Sequence, residues 1–499
     1  MPLPANDTPW PPPEWADYYR RMRVDDAWYT GDRNRLARVY SHHAPPTERR
    51  RRLWGRRSQE QREGRRDHCL HVPLPGDIAS TSADLLFADM PAIKVTDQAT
   101  QQRLDDLLDL NRAQQLFLSG AEQAAALSGV YLRTTWERDI AEHPLLTVMQ
   151  PDSALPEFRF GFLRAVNFWR ELSGSTEALT FRHIERHESG RILHALYQGR
   201  ADNIGRMVPL TEHPDTASLA ESLDADGQSV ITGIRELTAS YVPNMLPNRL
   251  HRGAPIGRSD YAAPIYDLFD NLDTVWTSWM RDIRLARARL MVPDSYLRDN
   301  GPGRGAEFDD DAEVFAALKI PPTEGGSTIT LAQFAIRTDD HKATCEAITR
   351  QAAQAAGYSA QSFGLDGGGQ PITATESDSR DQRSTVTRKK KAGYWRHGVA
   401  EQTHVMLQLD ARMFGQKIKP ERPSVEFGDG VAESLQSTAT TLDLLARAGA
   451  VSTGTKVKIL HPEWDDSTVK AEAAAILVET GSGAPDPVGT FPLNSPSAK

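Results

Sequence analysis

At 499 residues, 39% hydrophobic and 25% charged with a formal net charge of −9, the chain has an ordinary soluble composition and room for roughly two to four domains. No run approaches the ~18 apolar residues of a membrane span, and the opening MPLPANDTPWPPPEW has neither the basic start nor the apolar core of a secretory signal. Cys69 and Cys345, far apart and outside any CxxC, exclude a disulfide framework and a cysteine zinc site and fit a reducing cytoplasm.

The proline-rich first dozen residues read as a loose arm, and PEWADYYRRMRVDDAWYTGD as a helix closing near Gly31. From Arg49 to Arg66 nine arginines stand against Glu60 and Glu63 only. Such a run suits either a solvated, partner-facing surface or phosphate contact, and the acidity of the whole chain favours the former. A short helix over 78–86 leads to an apolar strand over 92–95, and 101–127 reads as two helices joined by a turn. Alternation predicts a strand over 129–138, and strand signals continue to about residue 200. Within them TFRHIERHESGRILHALYQG is a hairpin turning at Glu188-Ser189-Gly190. Residues 211–240 are polar and give no clear element.

The strongest helical signal begins at Ser259-Asp260, a good N-cap pair. Apolar residues recur at Ile265, Leu268, Phe269, Leu272, Val275, Trp276, Trp279, Met280, Ile283 and Leu290, a three-four spacing. Asp267, Asp270 and Asp273 load the first half and Arg281, Arg284, Arg287 and Arg289 the second, the polarity that suits a helix dipole. About 30 residues at ~1.5 Å each give a rod on the order of 45 Å. An insertion follows over 292–337, with GPGRGAEFDDDAEVFAAL and the strand-like STITLAQFAIR. A second helix runs from Thr338 or Asp339 to Ala356, capped by Gly357, with an alanine stripe at Ala343, Ala347, Ala352 and Ala355. SFGLDGGGQPIT reads as a flexible loop, and a third long helix spans Ala374 to about Phe414 with a basic patch at Arg388 to Lys391. Helical signals return at 431–448, 453–460 and 464–480, before a Gly-, Pro- and Ser-rich tail of 18 residues that reads as disordered.

Motifs that carry chemistry are scarce. His183 and His187 on a strand point the same way about 13 Å apart at ~3.3 Å per residue, too far for one ion. Cys69, although flanked by His68 and His71, reads as a small apolar residue rather than a nucleophile. There is no HExxH, GxSxG or GxxxxGK[ST], which excludes a phosphate-loop motor. Gly367 to Gly369 lacks the preceding strand and following lysine of a phosphate cradle. Asp309, Asp310 and Asp311 invite a two-metal nuclease reading but sit before an apolar periodic run, where acids suit a helix start. No cofactor is implied.

Helix, insertion, helix, glycine loop, long helix and helical cap, in that order, describe an architecture rather than an active site. The chain resembles the portal proteins of tailed double-stranded DNA bacteriophages, especially siphophages of actinobacterial hosts. The resemblance spans DDAWYTGD to LHPEW and rests on LPGDIASTSADLLFAD, GRSDYA, DTVWTSWMRDIRLARARLMVP, AGYSAQSFG and LARAGAVSTGTKVKILHPEW. It implies an α+β portal fold: a mixed α/β wing over 1–258, stem helices over 259–291 and 338–362, and a small clip insertion over 292–337. It further implies a tunnel loop over 363–373, a long helix and wing return over 374–429, a helical crown over 430–481 and a tail over 482–499. It implies a structural, non-enzymatic virion protein at the capsid portal vertex, assembled in the host cytoplasm. That protein forms a ring, of twelve subunits in the family, through which double-stranded DNA is packaged and ejected.

The implied partners are the terminase large subunit, a head–tail adaptor, the major capsid protein and a scaffold, with no membrane. Mapped residue by residue, the tunnel loop is Phe363, Gly364, Leu365, Asp366, Gly367, Gly368, Gly369 and Gln370. Arg281, Arg284 and Arg287 face a neighbouring subunit or the channel, and Glu307, Asp309, Asp310 and Asp311 serve clip docking. Two other readings stay open at this point. One is a metal-dependent nucleic-acid-processing enzyme using Asp309 to Asp311 and the arginine run; the other is a minor capsid or scaffold protein that forms no channel.

Overall fold

A computed structural model describes residues 3–43, 70–262, 265–286, 336–365, 374–428, 442–461 and 464–479, with short segments at 289–291, 298–299, 306–307 and 330–332. The fold is mixed helix and sheet, divided into a large unit (1–371 and 377–428) and a small one (372–376 and 429–499).

In the large unit, α1 (Ala16–Thr30) ends where Gly31 takes the left-handed conformation, and α2 (Arg33–His43) follows. The helix predicted over 78–86 is longer, α3 (Leu74–Phe87), followed by β1 (Ala92–Lys94). The helical pair is α4 (Gln98–Leu110), capped by the Asp97 carboxylate on the Thr100 amide, and α5 (Ala113–Leu127). Next come β2 (Gly129–Thr135), β3 (Leu145–Met149), β4 (Ala154–Arg159), β5 (Phe162–Glu171), β6 (Thr180–Glu188), β7 (Arg191–Arg200) and β8 (Asn203–Val208). The polar stretch contributes β9 (Ser229–Ile231) and the better-buried β10 (Ala239–Pro243). Strands β4 to β8 are antiparallel in chain order, with β9 also on β7, and the predicted hairpin pairs Glu188 with Arg191. A second sheet has the order β10-β2-β3.

Helix α6 (Ile265–Leu285) is shorter than the predicted 259–291 rod, and its 21 residues span roughly 32 Å. Ser259 and Asp260 are not its cap. Asp260 is 2% exposed and holds a buried polar cluster instead. Residues 289–291 are strand, β11 (Arg289–Met291), paired with β14 (Thr330–Ala332); β12 (Arg298–Asp299) pairs with β13 (Ala306–Glu307). Helix α7 (Thr338–Ala356) has the predicted ends, with Gly357 at φ 101° accepting the left-handed turn that a Cβ would strain. Its alanine stripe is corrected: Ala352 is buried, but Ala343, Ala347 and Ala355 are exposed, and His341, Cys345, Ala353 and Ala356 face inward. Helix α8 (Ala374–Met413) runs 40 residues, and β15 (Ser424–Glu426) closes back on β1.

The largest core packs α3, α4 and α5 around Trp395 and Val399 of α8 and Val130, Leu132 and Val242 of the second sheet. At Gly398 the helix lies so close to that sheet that a Cβ would stand 2.4 Å from Val242. Only glycine permits that approach.

The proline-rich start is not a loose arm. Residues 3–12 strap the six-stranded sheet: the Asp7 amide donates to Gly205 at 2.7 Å, the Trp10 amide to Asp202 at 2.8 Å, and Ile204 returns to Thr8 at 3.0 Å. Trp10, 5% exposed, joins Tyr19, Met22, Ile184 and Tyr197 in one cluster. The compositional signal was misleading because proline has no amide to donate yet leaves its carbonyl free to accept, as Pro4 does from Tyr197 at 2.7 Å.

In the small unit, residues 442–447 are helical, and α9 (Thr453–Leu460) is capped by Ser452. Helix α10 (Asp466–Glu479) packs Val469 and Ala473 on Val457. The rest of the predicted 431–448 helix, the tail over 482–499 and the arginine run from Arg49 to Arg66 lie outside the described residues. No described helix is long and apolar enough to cross a membrane.

Candidate functional site

Helix α6 buries Ile265, Phe269 and Leu272 against Trp28, Ala79 and Ala352. Each such side chain contributes about 1.5–3 kcal/mol over exposure. Asp273 fixes the helix laterally by accepting from the Val72 amide at 2.8 Å and lying 2.9 Å from His71 Nδ1, while Thr277 accepts from the Leu70 amide. His71, which stood beside Cys69 in the sequence, is therefore a packing residue; Cys69 lies outside the described residues.

Toward its end α6 grips α7. Trp279 stacks on His341 at 6.0 Å, and Asp282 lies 3.0 Å from His341 Nε2 and 3.2 Å from Arg337. These two bonds, His341 first, hold the Asp282 carboxyl below its ordinary pKa. Other positions of the pair are exposed: Arg281 and Arg284, Ile283 at 41%, and Ala343 and Ala347 of α7.

At the other end of the helix pair sits a polar lock that the sequence reading missed. Lys391 Nζ donates to Asp260 Oδ2 at 2.6 Å, Ser82 Oγ at 2.7 Å and Tyr358 Oη at 2.9 Å. Tyr358 donates to Asp260 at 2.8 Å, and Asn244 donates to the second Asp260 oxygen at 2.9 Å. Burial lowers the Lys391 pKa, and the Asp260 carboxylate opposes that shift. Five segments meet there. The predicted basic patch is thus corrected: Lys391 is 2% exposed, Arg388 donates to the Leu85 and Gly428 carbonyls, and only Lys389 and Lys390 face solvent. Periodicity carried the signal, since Lys391 shares the i, i+4, i+8 stripe with Trp395 and Val399.

The turn after α7 is sewn to α8 by hydroxyls. Thr387 donates to the Gly357 carbonyl at 2.6 Å, and Ser384 accepts from the Ser359 amide at 2.9 Å. Phe363 and Leu365 are half-buried here, and Gly364 takes φ 69°. Asp366, Gly367, Gly368, Gly369 and Gln370 lie outside the described residues. So do Arg287, Asp309, Asp310 and Asp311, while Glu307 is described only as a strand partner of Arg298. Phe363 to Leu365 follow the C-terminal end of α7 and β14 precedes its N-terminal end in the chain, the helix itself spanning roughly 28 Å.

Elsewhere, His183 and His187 share a face of β6 but have different partners. His183 Nε2 lies 3.2 Å from His194 Nδ1, and His187 lies between Glu185 at 2.7 Å and Thr238 at 2.6 Å. Among the described residues, no three His, Cys, Asp or Glu side chains are grouped to hold a metal. Burial, then His194, pushes His183 down to about 3, and burial also lowers His187 and His194. Burial pushes Glu185 up, yet Arg133 and His187 outweigh it and hold that carboxyl well below its ordinary value.

A histidine that stays neutral when folded stabilises the fold fully above its unfolded pKa of 6.5, and loses that contribution as pH falls toward about 3. Asp25, raised to about 7 by burial, works in the opposite sense, so the test is a difference between variants. Wild type is expected to lose melting temperature relative to His183→Gln between pH 6.5 and 4.5; parallel curves would contradict the neutral assignment.

Similarity to known proteins was found at the level of family and of solved structures. The family model described as phage portal protein, SPP1 Gp6-like, matches residues 196–485, more than half of the chain. A solved chain from the neck of an empty GTA particle, computed with C6 symmetry, is similar over 85% of this chain and 97% of that one, at 16% identity and a TM-score of 0.41. No curated protein matches.

Proposed function

Because the chain belongs to the SPP1 Gp6-like family of phage portal proteins, we propose that it assembles as a ring around a channel at one capsid vertex, through which double-stranded DNA is packaged and later ejected. One observation carries the step from family to ring: on the α6–α7 pair Arg281, Ile283, Arg284, Ala343 and Ala347 are exposed, with no described residue packed over them. Small and apolar positions beside arginines suit a repeated helix-to-helix contact, and identical copies supply that contact in closed symmetry.

In this reading 1–258 is the wing, the α6–α7 pair the stem, 292–337 the clip and 430–481 the crown. The clip, with Glu307 and Asp309 to Asp311, docks the terminase large subunit and then a head–tail adaptor; the wing meets the major capsid protein and scaffold. Twelve subunits and a siphophage of an actinobacterial host belong to the same proposal. A chain of net charge −9, repeated around a channel, does not hold a polyanion in passage, which suits DNA that must slide.

Residues 363–373 form the tunnel loop, anchored at its start by the hydroxyl contacts between the 357–365 turn and α8. Deleting Gly367 to Gln370 is expected to leave rings intact and to yield mostly empty or partly filled heads, read by genome content per particle. Full heads with normal retention would overturn the loop assignment.

A further inference from the structure

Two patches of the large unit expose apolar surface that its own cores do not cover. The first is the tip of the β4–β5 hairpin, where Phe160 is 88% and Phe162 79% exposed, with Arg159 over the Phe160 ring at 5.3 Å and Arg164 exposed nearby. The second is a cleft of about 860 Å³ on the histidine-bearing face of the sheet, rimmed by Ile140 at 68% and Ile231 at 59% exposure and lined by Trp136, Leu219 and Met413. Isolated exposed apolar side chains are ordinary; an aromatic tip and an apolar cleft on one body are a pattern that marks interaction surfaces.

The geometry points to the second copy of this chain as the occupant: the Phe160–Phe162 tip of one subunit inserts into the Ile140–Ile231 cleft of the next. The inference rests on the ring reading above and names a contact within it. Three observations favour a second copy. The tip is basic through Arg159 and Arg164, whereas the cleft lining carries five carboxylates (Glu137, Asp139, Glu185, Glu221, Asp224) against three guanidiniums (Arg133, Arg138, Arg170). The tip takes no part in its own cleft: neither Phe160 nor Phe162 lines it, and along β5 the first cleft residue, Phe168, stands roughly 20 Å from Phe162. Finally, knob and hollow on different parts of one body are what a head-to-tail interface requires, and such an interface gives a ring where its rotation closes.

The test uses the full chain with Cys69→Ser and Cys345→Ala, carrying Phe162→Cys with Ile231→Cys. Mild oxidation of assembled rings is expected to give a ladder of covalently linked subunits, absent from either single-cysteine chain. Phe160→Ser with Phe162→Ser is expected to retain the wild-type circular dichroism and melting temperature, since both rings are exposed, while its ring population falls at least ~10-fold at equal concentration. Wild-type rings with no ladder overturn this inference alone. So does a serine variant that forms normal rings but fails to enter capsids, which assigns the tip to the capsid protein. Wild-type protein that forms no rings overturns both this contact and the portal reading.

Discussion

Lys391→Met is expected to lower the unfolding free energy by about 3–5 kcal/mol, the cost of leaving one partner of a buried ion pair without the other. The substitution keeps the side chain's volume and removes three donated bonds, to Asp260, Ser82 and Tyr358. Asp260 then stays 2% exposed without its bonded cation, keeping hydrogen bonds from Tyr358 and Asn244 and the more distant charge of Arg258. Denaturant unfolding followed by tryptophan fluorescence reads the loss. Adding Asp260→Asn is expected to recover part of it, because the uncompensated charge goes too. A loss below about 1 kcal/mol would mean that the lock is solvated rather than buried. The structural corollary is local: the lock ties the segment before α6, the turn after α7 and the middle of α8 to one point, so its failure loosens the α6–α7 pair at that end.

Trp10→Ala is expected to cost about 3–5 kcal/mol, the range for emptying a large aromatic site. Trp10 sits edge-on to Trp169 at 5.4 Å and 89°, with the Arg182 guanidinium 5.7 Å from its ring centre. Arg182 is itself 1% exposed in its side chain and donates to the Arg200, Ala201 and Asn203 carbonyls and to Glu171. Losing the indole therefore opens water access to a buried cation as well as a cavity. Limited proteolysis should cut the variant within residues 1–15 faster than wild type, and Trp10→Phe should restore most of the protection. Unchanged proteolysis and stability in Trp10→Ala would return the segment to the status of a loose arm.

How much of this was legible follows from what each signal measures. Helix α6 was readable because its buried positions recur every three or four residues, α7 from its start at Thr338 and its Gly357 cap, and the hairpin at Glu188 to Gly190 because alternation broken by a glycine turn leaves few alternatives. The ends of α7 were thus readable, whereas those of α6 were not. Ser259-Asp260 has the chemistry of a cap, and only the tertiary position of Lys391 decides that Asp260 serves a buried pair. The alanine stripe of α7 failed for a related reason: alanine sits as well on an exposed face as on a buried one, so His341 and Cys345, polar or reactive by type, took the inner positions. Proline content alone cannot separate a free arm from a strap that needs few of its own donors. The tunnel-loop and clip assignments came from family resemblance, and Gly367 to Gly369, Arg287 and the three aspartates lie outside the described residues.

The most direct measurement of the central claim is the mass and rotational symmetry of the purified full chain, by native mass spectrometry together with electron-microscope class averages. A hollow closed ring of identical subunits is expected, twelve by the family resemblance, with the α6–α7 pairs repeated around the channel. A monomer or dimer across concentrations and salt conditions would contradict it.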